Sequence, residues 1–229
     1  MANERILIVE DELSLLRANM DFLTDLGYEV RAASTLADAR RLLREAPPDL
    51  VLLDVMLPDG SGFDFSVVVR QLSNSPVIFI TALSDLKDEE RGFALGGDDY
   101  LIKPYDLNRL GIRVAAILRR AMYVGSGRAE IPPLSVDPSS GLCRLDGENV
   151  VLSPMEMRLL HYFMKNPNMM IHREKVYEDV WGASALDNAQ TVVEHVYRLR
   201  KKLHMTDNPD SWFRISSEKQ SYMFSKIRY

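Results

Sequence analysis

The chain has 229 residues, of which 46% are hydrophobic and 27% charged, and its formal net charge is −5. This length allows two domains that each bury a core, and the single cysteine, Cys143, excludes a disulfide framework within one chain. No apolar stretch approaches the roughly 20 residues that a membrane span requires, and the first residues lack the layout of a signal peptide. We therefore expect a soluble, cytoplasmic protein without a membrane partner.

The charge is unevenly distributed along the chain. Residues 1–122 contain 14 Lys and Arg against 20 Asp and Glu, a net charge of −6, whereas residues 123–229 contain 14 against 13, a net charge of +1. An acidic first half suggests a metal site, and a locally basic second half suggests a polyanionic partner.

Apolar runs separated by helical patterns predict five βα units in the first 122 residues, because buried parallel strands read as continuous apolar segments. In chain order we expect a strand at 6–9, a helix closed by Gly27, a strand at 29–32, a helix that ends before Pro47, a strand ending at Asp54, a loop at 57–62, a helix at 63–72, a strand at 77–80, a helix at 85–95, a strand at 100–102 and a helix at 106–122. These elements predict an α/β fold with a doubly wound, five-stranded parallel sheet.

The pattern changes after residue 122. Residues 123–133 contain two glycines and two prolines, so they predict a linker between a first domain at 1–122 and a second at 134–229. In the second domain we expect short strands at 134–152, a helix that begins with the capping box Ser153–Glu156, a helix at 173–181, a third helix at 188–203 and a β-hairpin at 212–229. This succession predicts an α+β domain.

Polar side chains at the ends of four predicted strands suit phosphate chemistry. Glu10 and Asp11 follow the first strand, Asp54 ends the third, Thr81 the fourth and Lys103 the fifth. Because the carboxyl ends of parallel strands line the ligand crevice of an open sheet, we expect these side chains to converge. Three carboxylates predict a Mg²⁺ site. Asp54 is then the nucleophile toward a phosphoryl donor, while Lys103 and Thr81 contact the transferred oxygens.

With these residues in place, positions 4–121 closely resemble the receiver domain of two-component response regulators. The matching residues are Glu10-Asp11, Asp54, Met56, Pro58, Gly62, Thr81-Ala82, Gly96, Asp98-Asp99-Tyr100 and Lys103-Pro104. The resemblance implies a flavodoxin-like fold and phosphorylation of Asp54 by a sensor histidine kinase. It also implies that Mg²⁺ is held by Glu10, Asp11, Asp54 and the Met56 carbonyl. Thr81 and Tyr100 take the positions of the family's switch residues.

The same resemblance implies a homodimer that forms on phosphorylation through the face at 85–120. We expect Glu89, Asp99, Arg109 and Arg113 at this interface. Relatives commonly carry a basic residue at the position of Glu89 and an acidic one at that of Arg109. Because the signs are exchanged here, attraction is preserved while the choice of partner is altered.

The third helix of the second domain carries a basic, aromatic-bearing face, which is how a helix-turn-helix presents its reader to the major groove. Its apolar stripe leaves Gln190, Glu194, Tyr197, Arg198, Lys201 and Lys202 mostly outward, with His195 nearby. In this pattern Arg198 suits a guanine edge and the lysines suit phosphates.

The second domain as a whole is similar to the winged-helix output domain of OmpR/PhoB-type regulators over residues 134–225. The matching residues are Leu152–Glu156, Leu159-Leu160, Arg173-Glu174, Val180–Gly182, Thr191-Val192, His195-Val196, Arg198–Leu203 and Tyr222. The resemblance implies double-stranded DNA as partner, contacted by Gln190, Thr191, His195, Tyr197, Arg198 and Arg200, and a loop at 183–189 that meets RNA polymerase. Relatives usually carry glycines and an arginine in the wing, whereas this chain reads Glu218-Lys219-Gln220-Ser221-Tyr222, in which Lys219 can replace the arginine.

These observations favour a DNA-binding transcriptional regulator that is switched by phosphorylation and is not an enzyme. A phosphatase with Asp54 as nucleophile, like enzymes of the haloacid dehalogenase type, needs a second acid two residues later, where this chain has Met56. A second alternative is a phosphorylation-switched protein whose C-terminal domain binds proteins rather than DNA. The atypical wing and the near-neutral charge of residues 123–229 keep this alternative open.

Overall fold

The computed structural model describes residues 4–73, 75–82, 97–122, 127–182, 189–206 and 208–228. The chain divides into two compact units, Met1–Arg119 and Arg120–Tyr229. Within the described ranges, none of the helices combines the length and the hydropathy that a bilayer-spanning segment requires.

The first unit is built around one parallel sheet. In chain order its elements are β1 (Arg5–Val9), α1 (Leu13–Asp25), β2 (Glu29–Ala33), α2 (Leu36–Glu45), β3 (Leu50–Asp54), β4 (Met56–Leu57), β5 (Gly60–Ser61), α3 (Gly62–Leu72), β6 (Val77–Thr81), β7 (Asp99–Ile102) and α4 (Leu107–Met122). The five long strands pair in parallel in the order β2-β1-β3-β6-β7. The prediction of a doubly wound five-stranded sheet is confirmed. The helix predicted at 85–95 lies outside the described residues.

Alternation along the strands divides the core of this unit between the two faces of the sheet. Ile6 and Ile8 of β1 point to the face that α1 and α4 cover, whereas Leu7 and Val9 point to the opposite face, where α2 and α3 pack. Because successive side chains of a strand point to opposite faces, a strand covered on both sides is apolar at every position. This is why the apolar runs identify the strands so well.

The segment at 57–62, predicted as a loop, forms with Met56 the short antiparallel pair β4–β5. Asp59, in the turn of this pair, accepts hydrogen bonds from the backbone N–H groups of Leu36 and Ala37, at 2.9 and 3.0 Å. These are free donors of the first turn of α2, so the carboxylate also lies at the positive end of the helix dipole. The Asp59 contacts lower the pKa of that carboxyl group.

The second unit combines helices with two antiparallel sheets. In chain order its elements are β8 (Ala129–Ile131), β9 (Leu134–Asp137), β10 (Leu142–Leu145), β11 (Glu148–Asn149), α5 (Pro154–Lys165), β12 (Ile171–His172), α6 (Arg173–Trp181), α7 (Gln190–Lys202), β13 (Phe213–Glu218) and β14 (Ser221–Lys226). The sheets have the strand orders β11-β10-β9-β8 and β12-β14-β13. The predicted α+β character is confirmed.

Part of the predicted linker is wrong, because Ala129–Ile131 form strand β8. This strand pairs with β9, and Ala129 is buried in the core of the second unit. The glycines and prolines on either side are typical of a linker, so the sequence pattern did not reveal that Ala129 faces the core and Glu130 faces solvent, as in a strand. The capping box of α5, in contrast, is present as predicted: the Ser153 hydroxyl accepts from the Glu156 N–H, and the Glu156 carboxylate accepts from the Ser153 N–H.

Candidate functional site

The carboxyl ends of the central strands meet around one ammonium group. Lys103, just after β7, places its Nζ 2.6 Å from Oδ2 of Asp54 and 2.7 Å from Oε2 of Glu10. Both carboxylates are nearly inaccessible to solvent, with 5% and 2% of their surface exposed. The second oxygen of Asp54, Oδ1, accepts the backbone N–H of Met56 at 2.9 Å. The structure therefore brings together three of the residues that were predicted from strand ends.

Glu10, Asp11 and Asp54 form a cluster suited to a hard divalent cation. One carboxylate oxygen from each lies within 4.8 Å of the others, and Asp11 is exposed while Glu10 and Asp54 are buried. Mg²⁺ binds few carboxylates and keeps several waters, which fits a set of oxygen donors open to solvent on one side. The donor chemistry therefore suits Mg²⁺, and the predicted contribution of the Met56 carbonyl stays a prediction.

Burial disfavours the charged forms of Glu10 and Lys103 and shifts their pKa values. The pKa of Glu10 is raised to about 7, chiefly by desolvation and also by the neighbouring charge of Asp54, while the hydrogen bond from Lys103 opposes both effects. Desolvation lowers the pKa of Lys103, but its hydrogen bonds to Asp54 and Glu10 outweigh that effect and raise it overall. The ammonium group therefore stays charged, and the cluster attracts further positive charge.

Gly62 determines how closely α3 approaches the end of β3. Its N–H donates to the carbonyl of Val55 at 2.8 Å. A Cβ atom at this position would lie 2.0 Å from the carbonyl oxygen of Asp54, far inside contact distance. Glycine is required here because a backbone, not a movable side chain, occupies the space.

The two predicted switch residues are both buried. Thr81 ends β6 with no exposed surface, and Tyr100 in the neighbouring strand β7 is 3% exposed. The Tyr100 ring packs at a tilt against Phe79, with 6.1 Å between the ring centroids. The structure thus places Tyr100 inward, on the same edge of the sheet as Thr81.

Two adjacent aspartates anchor the start of β7. Asp98 is buried and forms an ion pair with Arg70 of α3. Asp99 is also buried and pairs with Arg113 of α4 at 2.6 Å. Asp99 and Arg113 were predicted at a dimer interface, and that role stays a prediction; within the single chain the two side chains form a buried ion pair. Of the other two predicted interface residues, Arg109 is exposed and Glu89 lies outside the described residues.

Sequence reasoning missed a polar contact next to the pocket. Asn19 of α1 is fully buried, and its amide exchanges hydrogen bonds with the hydroxyl of Tyr105, at 2.8 and 3.2 Å. Tyr105 follows Lys103 by two residues. Position 19 lies on the same helical stripe as Leu16 and Leu23, which was the signal that a polar side chain there needs a buried partner.

Helix α7 confirms only part of the predicted outward face. Tyr197 is 53% exposed, Lys201 is exposed and Gln190 is half-buried. Thr191, His195 and Arg198, in contrast, are buried. The prediction that Arg198 points outward is therefore wrong, because its side chain faces Glu156 of α5. Arg200, also predicted to contact DNA, is half-buried and donates to the carbonyl of Ile215 at 2.8 Å.

The predicted wing is a tight hairpin. In the antiparallel pair β13–β14, Phe213 lies opposite Lys226 at one end and Glu218 lies opposite Ser221 at the other. The turn therefore consists of Lys219 and Gln220. Both turn residues have positive φ, 44° and 65°. Two central residues with positive φ define the turn type that suits the twist of a two-residue hairpin, and glycine or asparagine normally occupies it. Lys219 is exposed at the tip.

Each of the two units matches a known protein family. Residues 6–115 match the family described as response regulator receiver domain, and residues 147–224 match the family described as transcriptional regulatory protein, C terminal. The phosphate regulon transcriptional regulatory protein PhoB of Escherichia coli strain K12 is 36% identical over 203 residues, 87% of this chain and 89% of that protein. The transcriptional regulatory protein YvrH of Bacillus subtilis strain 168 is 32% identical over 217 residues, 92% of this chain and 91% of that protein.

Solved structures of response regulators are also similar to this chain. The response regulator DrrB of Thermotoga maritima, an OmpR/PhoB homologue, covers 97% of this chain and 99% of its own, with a TM-score of 0.52 and 28% identity. A mutant of RitR has a TM-score of 0.79 at 22% identity over 99% of this chain and 100% of its own, which is a likeness of fold.

The protein is therefore a two-component response regulator, with a receiver domain followed by a DNA-binding domain. Among response regulators, the chain belongs to the OmpR/PhoB-type family of transcriptional regulators. Both resemblances that the sequence suggested are confirmed, and the protein-binding alternative for the second domain is not favoured.

Proposed function

We propose that Asp54 accepts a phosphoryl group from a sensor histidine kinase and that this event switches DNA binding by the second domain. The observation that carries the proposal is the position of the Lys103 ammonium, 2.6 Å from Asp54 and 2.7 Å from Glu10. A carboxylate oxygen of Asp54 forms the new P–O bond while the donor's P–N bond breaks. Lys103 lies where it neutralises charge on the phosphoryl oxygens as they arrive.

The acidic cluster is the proposed Mg²⁺ site, with Glu10, Asp11, Asp54 and the Met56 carbonyl as ligands. When bound, the cation supplies positive charge next to the transferred phosphoryl group. The chain's own contribution is the fixed geometry: Glu10 is held by Lys103, and Asp54 is held by both Lys103 and the Met56 N–H. Held in this way, the carboxylates need little rearrangement for the reaction.

Thr81 and Tyr100 are the proposed relay from the phosphate to the surface. Thr81 ends the strand between those that carry Asp54 and Lys103. Its hydroxyl is therefore the natural hydrogen-bond donor to a phosphate on Asp54, and Tyr100 lies beside it in β7. The Tyr100 ring lies inward against Phe79.

We further propose that the phosphorylated protein forms a homodimer through its receiver domain, with Glu89, Asp99, Arg109 and Arg113 near the interface. The exposed position of Arg109 on α4 supports a direct role, whereas Asp99 and Arg113 act by holding β7 against α4. A two-fold contact is self-complementary, so Arg109 of each protomer meets the same surface of the other. Arg109→Glu should weaken the phosphorylation-dependent dimer, as measured by sedimentation velocity. Unchanged dimerisation would refute the role of Arg109.

The second domain is proposed to bind double-stranded DNA through α7, with the wing residue Lys219 beside it. The exposed Tyr197, Lys201 and Lys219 and the half-buried Gln190 support this role. The segment at 183–189 is the proposed contact for RNA polymerase, by its place between α6 and α7. The protein acts in this scheme as a switch and not as an enzyme.

The phosphorylation step is tested by incubating the full chain with phosphoramidate and Mg²⁺ and measuring intact mass. We expect the mass of one phosphoryl group to be gained by the wild-type chain and by Asp59→Asn, which alters an exposed carboxylate that contacts the start of α2. Asp54→Asn should gain none. Phosphorylation of Asp54→Asn at the wild-type rate would overturn the proposal.

The DNA-binding step is tested by footprinting genomic fragments with and without the phosphodonor. Phosphorylation should increase protection, and affinity should fall steeply with salt because DNA counterions are released on binding. Salt-independent binding, or none, would overturn the proposed DNA-binding role.

A further inference from the structure

The exposed stripe of α7 and its buried flank carry different residues. Val193 and Glu194 are each three or four positions from Gln190 and from Tyr197, and Lys201 follows Tyr197 by four, so these residues lie on one face of the helix. All five are half-buried or exposed, and Tyr197 has 53% of its surface exposed. The opposite face, with Val192, Val196 and Leu199, is buried in the domain core. The stripe is therefore the face that α7 offers to a groove.

The flank next to this stripe is occupied by an internal hydrogen-bond chain. His195 Nδ1 donates to the carbonyl of Thr191 at 2.9 Å, so its Nε2 is free to accept, and it accepts Nη2 of Arg198 at 2.8 Å. The Arg198 Nε lies 3.6 Å from Oε1 of Glu156. Two hydrogen bonds thus link Thr191, His195 and Arg198, and an ion pair connects Arg198 to the carboxylate of α5. All three of these α7 side chains are buried.

Glu156 is the centre of this arrangement. Its side chain is fully buried, and its other oxygen, Oε2, binds Nζ of Lys202 at 2.6 Å and the Ser153 N–H at 2.7 Å. A buried carboxylate is tolerated only when cations and donors surround it. Withdrawing Arg198 toward DNA would remove one of these cations, a penalty equivalent to about a hundredfold or more in affinity. Arg198 is therefore held inside, although a sequence pattern places it on the reading helix.

We infer that the exposed stripe of α7 selects the DNA sequence, with Glu194 as a specificity-determining residue for cytosine, and that Arg198 is a positioning residue. This inference rests on the proposed DNA-binding function. A carboxylate only accepts hydrogen bonds, and in the major groove it suits the N4 amino group of cytosine. Val193 beside it suits a thymine methyl group, and Lys201 at the far end suits a phosphate. Arg198 sets the position of α7 against α5 through Glu156.

The test is selection of randomised duplexes by the full chain, in the presence of phosphoramidate and Mg²⁺, followed by affinities for single-base variants of the selected site. We expect Glu194→Gln to lose about tenfold of discrimination at one C·G pair and to keep the other preferences. Arg198→Lys should lower affinity for all duplexes by a similar factor and leave every base preference unchanged, and Arg198→Met should lower affinity further. A loss of affinity that grows from Arg198→Lys to Arg198→Met and is equal for all duplexes indicates that Arg198 positions the helix and does not contact a particular base.

Two results would overturn the inference: Glu194→Gln with an unchanged base profile, or Arg198→Lys with a lost preference for one guanine. Trp181 packs edge-on against His195 with 5.0 Å between ring centroids, so tryptophan fluorescence reports whether an Arg198 variant has disturbed the domain. If Arg198→Lys does not fold, the inference is tested by the base preferences of Glu194→Gln alone. A wild-type chain that selects no duplex overturns the proposed DNA binding itself, which is a different result.

Discussion

Replacing Gly62 with alanine tests whether the pocket formed by Glu10, Asp54 and Lys103 depends on close backbone contact between α3 and β3. The added Cβ would lie 2.0 Å from the carbonyl oxygen of Asp54, 2.9 Å from its carbonyl carbon and 3.0 Å from Cα of Val55. Because all three are backbone atoms, no side-chain rotation relieves the overlap. The start of α3 must therefore move away from the end of β3.

The expected size of the effect follows from these contacts. Overpacking costs about 1–3 kcal/mol, and the movement stretches the 2.8 Å hydrogen bond from Gly62 to Val55, which contributes about 1 kcal/mol. We expect the free energy of unfolding of the first unit to fall by about 2–4 kcal/mol and its Tm to fall by roughly 10 °C or more. Phosphorylation by phosphoramidate should slow as well, because the overlap is with the backbone of Asp54.

Gly27→Ala is the matched control for Gly62→Ala. Position 27 has φ +93° and no atom within 4 Å of an added Cβ, so its cost of about 1–2 kcal/mol is backbone strain alone. Far-UV circular dichroism follows both units, and the fluorescence of Trp181 and Trp212 follows the second unit only, which should stay unchanged. If Gly62→Ala melted no earlier than Gly27→Ala and were phosphorylated at the wild-type rate, the steric argument would be refuted.

Three further outcomes follow from the geometry. Gln220→Gly should stabilise the second unit by about 1 kcal/mol in urea unfolding followed by fluorescence, because residue 220 has φ 65°; a loss of stability would contradict this turn geometry. Tyr105→Phe should destabilise the first unit by about 1–3 kcal/mol in thermal unfolding, because it removes the hydroxyl that exchanges hydrogen bonds with the buried amide of Asn19; an unchanged midpoint would argue against that contact. The folded-state pKa of Glu10 is raised from 4.5 to about 7, so the folded chain binds this proton more tightly than the unfolded chain does. Without divalent cations the free energy of unfolding should therefore fall as pH rises from about 4.5 to about 7, on the order of 3 kcal/mol, and Glu10→Gln should flatten this slope; a slope that survives in the variant would assign it to other groups.

The pocket formed by Glu10, Asp54 and Lys103 was accessible to sequence reasoning because each of these residues ends or directly follows a strand. An apolar run fixes where a buried strand ends, and parallel order fixes that the ends share one edge of the sheet. Glu10, Asp54 and Lys103 are therefore brought together by topology alone. Their pairwise distances then confirm a convergence that the pattern already contained.

Contacts that depend on packing between distant elements were accessible only in part. Asn19 occupies a position that the helical spacing of α1 marks as buried, so a partner was foreseeable, but nothing in the sequence identified Tyr105 as that partner. Arg70 gave no such signal, because its ion pair with Asp98 depends on how α3 lies against β7. Strand β8 could not be predicted, because three residues are too few to show the alternation of apolar and polar side chains that is typical of a strand.

Helix α7 shows most clearly where a periodic pattern stops being informative. The apolar stripe correctly identified the buried centre of the helix, but residues on its flank are exposed or buried according to what packs beside them. Here the partner is Glu156, 46 positions before Lys202, and it draws Arg198 and Lys202 toward α5. The same carboxylate also completes the capping box of α5. One glutamate therefore both caps the start of α5 and binds Arg198 and Lys202 of α7, so a substitution at Glu156 should shift α7 without changing any residue on its exposed face.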